Sequence, residues 1–159
     1  MLEISPKGKI VKETCILPKG VKDGGFAFMR NARRLDNGHF LVAHYGDQCV
    51  KEYDANGKMV WKLDVPGGPH SLTRLPNGHT LIAVADKDQN PRLIEVTPEG
   101  KTIWEISNAD IPGKPLKFLG GFQYFSDGRF LITNWTGHVN PKEKVHLLLV
   151  DRQKNVLYS

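Results

Sequence analysis

The chain has 159 residues, 40% of them hydrophobic and 25% charged, which excludes a disordered chain and allows one domain with a real core. Its formal net charge is +5, but the basic residues are scattered and come with no recognisable binding module, so nucleic acid is not the expected partner. No stretch approaches the roughly 20 apolar residues of a membrane span, and Met1–Lys9 has no apolar signal-peptide core.

Cys15 and Cys49 are the two cysteines; with no CxxC they predict neither a zinc site nor a disulfide framework. The 16 glycines and 10 prolines sit largely in short polar turns, as in an all-β chain that reverses often.

Taken in order, the predicted elements are hairpins of two alternating kinds. Glu3–Lys12 turns through Ser5-Pro6-Lys7-Gly8. Arg34–Ala43 turns at Asn37-Gly38, and Glu52–Trp61 turns at Asn56-Gly57. Arg74–Ala83 turns at Asn77-Gly78, and Glu95–Trp104 turns at Glu99-Gly100. Tyr124–Thr133 turns at Asp127-Gly128, and Leu149–Tyr158 closes the series. Gly38, Gly78 and Gly128 recur at about the 40–50-residue period of a four-stranded propeller blade.

One hairpin of each kind makes a blade with strands A to D. The chain therefore reads as an all-β, partial β-propeller of about three and a half blades, in the phase CD, ABCD, ABCD, ABCD. The expected pieces are a blade remnant at 1–22 and blades at 23–65, 66–108 and 109–159. An open stack leaves two broad apolar faces. The expectation is a piece of a six-bladed ring, with missing blades or another copy needed to cover the open ends.

Leu75–Ile82 and Asp54–Trp61 carry a resemblance. They are similar to the repeats of bacterial quinoprotein-like and arylsulfotransferase-like propellers, and Asn134-Trp135-Thr136-Gly137-His138 resembles the last blade of exported six-bladed propellers of unassigned function. The resemblance implies a periplasmic or secreted parent protein. It also implies that Trp61 and Trp104 lock adjacent blades, as aromatics repeated at blade period do.

In such a blade the AB and CD turns share one rim. The opposite rim holds the longer loops Val65–Pro69, Asp86–Pro91, Asn108–Leu119 and Gly137–Val145, where binding is expected. Arg30, His70 and Gly120 are equivalent positions at the start of strand A. The B strands end at His44-Tyr45, Val84-Ala85 and Asn134-Trp135. Arg30, His44, His70, Asn134, Trp135 and His138 are thus the candidate ligand-binding residues.

Arg offers a fixed fork of donors, and His can donate, accept or carry a proton near neutrality. The first functional expectation is a non-catalytic scaffold binding an unknown small molecule or protein at the loop-rich rim. The alternative, implied by the resemblance, is sulfuryl transfer with His70 as the catalytic group and Arg30 holding the anion. No cofactor is expected, and the histidines show no metal-ligand spacing. His39 and His79, next to turn glycines on the plain rim, are excluded from the site. Ser71 points away from His70, so no Ser-His pair is expected.

Overall fold

The computed structural model describes residues 1–17, 28–85, 90–137 and 145–159. Its fourteen described strands are β1 (Leu2–Ile4), β2 (Ile10–Glu13), β3 (Asn31–Arg34), β4 (Phe40–His44), β5 (Cys49–Tyr53), β6 (Met59–Asp64), β7 (Pro69–Arg74), β8 (Thr80–Val84), β9 (Arg92–Val96), β10 (Thr102–Ile106), β11 (Leu119–Tyr124), β12 (Phe130–Asn134), β13 (Leu147–Val150) and β14 (Val156–Tyr158). β1 and β2 pair alone. β3–β6, β7–β10 and β11–β14 form three four-stranded antiparallel meanders. This is the predicted order of one CD pair followed by three complete ABCD sheets.

The Asn-Gly turns explain themselves in hydrogen bonds. Gly38 N donates to Leu35 O at 2.9 Å with φ at +82°, while Asn37 Oδ1 accepts the His39 amide at 3.0 Å. Asn77-Gly78 and Asp127-Gly128 repeat this, with the side-chain oxygen accepting at 3.0 and 3.1 Å and the glycine at +85° and +91°. A short carboxyl or amide side chain fixes the turn, and glycine alone enters the left-handed region without a steric cost.

The CD hairpins share an irregularity that strict alternation would not give. Glu52 pairs with Trp61 and Tyr53 with Met59, so Val60 is an extra, bulged residue. Ile103 holds the same place between Thr102 and Trp104, as do Val11 and Leu157 in the outer pairs of the first and last sheets. All four bulged side chains are exposed. The bulge accounts for these apolar residues in water and aims the following Trp at the next sheet.

The core lies between sheets rather than within them. Alternate residues of one strand enter different clusters: Leu81 and Ala83 pack toward β11–β14, while Ile82 and Val84 pack toward β3–β6. β8, buried on both faces, is therefore a continuous apolar run after Thr80.

Trp61 and Trp104 sit at these junctions. Trp61 Nε1 donates to Pro98 O at 3.0 Å, and Trp104 Nε1 donates to Arg152 O at 2.9 Å, each reaching the CD turn of the following sheet. A guanidinium covers each indole. Arg74 lies 4.9 Å from the Trp61 centroid and bonds Glu52 at 2.7 Å; Arg152 lies 5.2 Å from that of Trp104 and bonds Glu95. The same carboxylates take His39 Nδ1 at 2.8 Å and His79 Nδ1 at 2.7 Å.

His39 and His79, set aside in the sequence, thus fasten the B strand to its own C strand beneath the junction. Tyr124 occupies the strand position of Arg74 in the last sheet, and the guanidinium is supplied there from the turn instead. Arg34 and Glu3, 4.0 Å apart, are the equivalent pair at the first junction.

Candidate functional site

On the rim opposite the turns, five side chains from three sheets form one arc. The guanidinium of Arg30, just before β3, lies 4.8 Å from the ring centroid of Tyr45, just after β4. Tyr45 meets His70 of β7 edge to face at 6.4 Å. His70 meets Phe118 at 5.1 Å, and Phe118 meets Trp135 at 5.6 Å, both again edge to face. Perpendicular rings at these separations are the favoured aromatic geometry. Trp135, with 47% of its surface exposed, ends the arc, and its backbone N–H donates to Phe118 O at 2.8 Å.

His70 joins two sheets. Its Nδ1 lies 2.6 Å from Gly120 O. A carbonyl only accepts, so Nδ1 carries the proton and Nε2 keeps its lone pair. Burial lowers the imidazole pKa from its usual value and the positive charge of Arg30 lowers it further, against the Gly120 carbonyl, which favours the charged ring. His70 is thus a neutral acceptor at pH 7, standing in the same arc as a guanidinium.

Gly68 makes room for this arrangement. A Cβ there would stand 2.4 Å from the Tyr45 ring. Its φ is not in the left-handed region, so alanine can keep the backbone but not the ring beside it. Gly68→Ala is expected to displace Tyr45, uncovering Arg30 and one edge of His70, while stability changes by no more than about 1–2 kcal/mol. A crystal structure of the variant, with its melting curve, checks both parts.

Two of the sequence candidates have other work. Asn134 is buried and spends its whole amide on a loop: Oδ1 accepts from Lys117 N at 2.8 Å and Phe118 N at 3.3 Å, and Nδ2 donates to Pro115 O at 3.1 Å and Val145 O at 2.8 Å. It positions Phe118 and offers nothing to a ligand. His44 is fully buried on the face of β4 turned toward the first hairpin, with Nε2 2.9 Å from Tyr53 Oη. Strand alternation sends it away from the rim mouth. His138 lies outside the described residues.

His44 has a consequence for stability. Burial, aided by Lys51 and opposed by Asp47, lowers its pKa from 6.5 to about 4. The unfolded chain therefore takes up a proton on this ring below pH 6.5 that the native chain refuses until about pH 4. Stability is full above pH 6.5 and is expected to fall by roughly 3 kcal/mol as the pH drops toward 4. Urea unfolding of the native chain and of His44→Gln at pH 7 and pH 4.5 checks this: the loss on acidification is expected to be smaller in the variant.

Tyr45 and Phe118 were absent from the sequence candidates, although a signal existed. Tyr45, Ala85 and Trp135 each stand seven residues after a turn glycine, and Phe28, Gly68 and Phe118 ten residues before one. Read as columns, they show large rings in the second and last blades and small residues between them, into which Tyr45 leans. Among the described residues no group of three His, Cys, Asp or Glu side chains could hold a metal ion, and Cys15 and Cys49 are free thiols. No helix among them is long and apolar enough to cross a membrane.

No protein-family model and no curated protein matches the chain. Solved structures do. The chain is similar to a protein of unknown function from Bacteroides caccae, with 24% identity and a TM-score of 0.82 over 99% of this chain and 57% of that one. It is similar also to virginiamycin B lyase from Staphylococcus aureus, with 16% identity and a TM-score of 0.59 over 96% of this chain and 45% of that one. A third is a candidate exported protein from Bacteroides fragilis, with 11% identity and a TM-score of 0.59 over 99% of this chain and 40% of that one. The chain spans little more than half the length of the first of these and less of the others. At such identities the likeness is one of fold, and together with three docked four-stranded meanders it makes the chain a run of β-propeller blades.

Proposed function

We propose that the chain is the ligand-bearing part of a non-catalytic propeller scaffold, and that its ligand is a small molecule seated on the loop-rich rim. The observation that carries this reading is the arc from Arg30 to Trp135: one cation, one neutral histidine acceptor and an exposed indole, brought from three blades. Such a surface favours a flat ring over Trp135, with a hydrogen-bond donor for His70 Nε2 and negative charge for Arg30. In this reading the parent protein is exported, the ring has six blades, and further blades or another copy cover the open ends. Neither a cofactor nor nucleic acid takes part.

The Nε2 lone pair of His70, in one arc with Arg30, also favours one catalytic alternative. In it the S–O bond of an aryl sulfate breaks, the phenol leaves, and the sulfuryl group passes to water or an acceptor hydroxyl, with His70 as the intermediate nucleophile or as the base that takes the acceptor's proton. A single probe separates the two. 4-Nitrophenyl sulfate is expected to shift the Trp135 indole resonance in nitrogen–proton correlation spectra, to do so much less in Arg30→Met, and to be recovered intact. Release of 4-nitrophenol that stops in His70→Asn would replace the scaffold reading by the enzyme. A probe that leaves Trp135 unmoved contradicts both.

A further inference from the structure

The two junctions between four-stranded sheets also differ in the residue that opens the B strand. Where the last blade has Phe130, stacked on Trp104 with centroids 4.9 Å apart, the third blade has Thr80. Both are first in their B strand, two residues after a turn glycine, and both face the Trp of the preceding blade. Thr80 is fully buried, and its hydroxyl has no hydrogen-bond partner. Trp104 therefore has both a guanidinium and a stacked ring over it, whereas Trp61, packed at its core side, has the guanidinium of Arg74 and no stacked ring among the described residues.

A groove of about 690 Å³ opens on the turn-bearing rim at this second junction, lined among others by Trp61, Val60, Pro76 and Pro98 and by Arg34 and Arg74. Its volume falls within the range of small-molecule sites. It is distinct from the arc of Arg30 and His70, which lies on the opposite rim. The neighbouring junction supplies the comparison: there a ring stacks on Trp104, whereas Trp61 lines the groove.

The polar capacity left in the groove is on the donor side. Both oxygens of Glu52 are already engaged, by His39 and by Arg74. The Arg34 side chain is 62% exposed, and its ion pair with Glu3 is long, at 4.0 Å. Asp36 is the one carboxylate of the lining not so engaged, against a chain of net charge +5. A planar guanidinium matches a carboxylate in bidentate fashion.

We infer that this groove is a second binding site, and that it takes an aromatic carboxylate, the ring against Trp61 and the carboxylate on Arg34. Binding here is independent of the function proposed for the other rim.

The experiment uses phenylacetate as the probe, with cyclohexylmethanol as an uncharged, non-aromatic control, and reads the indole resonances of Trp61 and Trp135 in nitrogen–proton correlation spectra. Phenylacetate is expected to shift Trp61 saturably, and the control is not. Arg34→Ala, a change at an exposed side chain, is expected to weaken the apparent affinity at least fivefold. Thr80→Phe, which supplies the ring that Phe130 supplies next door, is expected to abolish the Trp61 shift; should that variant not fold, Arg34→Ala decides alone. A Trp61 resonance that does not move, or one that moves equally with Arg34→Ala, overturns the inference. A response confined to Trp135 overturns it as well, and leaves the loop-rim site standing.

Discussion

Trp104→Ala is expected to lower the free energy of unfolding by about 3 kcal/mol, at the lower end of what truncating a large core aromatic costs, because the indole is half-buried rather than fully enclosed. Three interactions go together. The stack on Phe130 is lost, as is the 2.9 Å bond to Arg152 O, and the Arg152 guanidinium, still bonded to buried Glu95, loses the ring it lies on. For a chain of this length the loss corresponds to a fall in melting temperature of roughly 6–12 °C. Thermal unfolding followed by circular dichroism checks it. Trp61→Ala provides the internal comparison: with Thr80 where Phe130 would stand, it lacks the ring stack, and its expected cost is about half as large.

Asn134→Ala is expected to cost a similar amount, about 3 kcal/mol, by a different route. Four backbone groups, Lys117 N, Phe118 N, Pro115 O and Val145 O, lose a partner at once, and each buried polar group left unmatched costs about 1–3 kcal/mol before the loop relaxes toward water. Relaxation recovers part of that sum and moves Phe118, so the Trp135 indole resonance is expected to shift with the loss of stability. Asn134→Asp is a sharper variant. It keeps the oxygen that accepts from both backbone amides but turns its second carboxylate oxygen toward two carbonyl oxygens, and at pH 7 it is expected to be no more stable than the alanine variant. Denaturant unfolding of the three proteins, each with its indole spectrum, checks both statements.

The blades were legible in the sequence because their signals are local. An Asn-Gly or Asp-Gly turn fixes its own hydrogen bonds within five residues, and its recurrence gives period and phase without any long-range contact. Trp61 and Trp104 could be placed at blade junctions for the same reason, since position in the repeat is position in space.

The site was less legible, and the failures share a cause. The end of a B strand places His44 at the rim, yet one step of strand alternation separates the rim-facing Tyr45 from the core-facing His44. Asn134, the same column in the last blade, turns inward likewise and spends its amide on the loop it closes. His39 and His79 looked idle beside their turn glycines because their partners, Glu52 and Glu95, lie across the strand pair. Their meaning depends on which residue stands across the B–C strand pair, and that is set by pairing rather than by the local pattern around each histidine. Phe118 and Tyr45 carry no chemical signal of their own in the sequence; that they touch His70 follows only once three blades are docked.

The loop-rich rim brings Arg30 and His70 into one arc, with His70 neutral and protonated at Nδ1. The most direct measurement is a pH titration of the His70 ring by long-range nitrogen–proton correlation spectra, in the native chain and in Arg30→Met. The expected result is the Nδ1–H tautomer with Nε2 unprotonated at pH 7, a pKa below 6.5, and a rise in that pKa when Arg30 is removed. An Nε2–H tautomer, or a pKa at or above 6.5 that does not respond to Arg30, would contradict it.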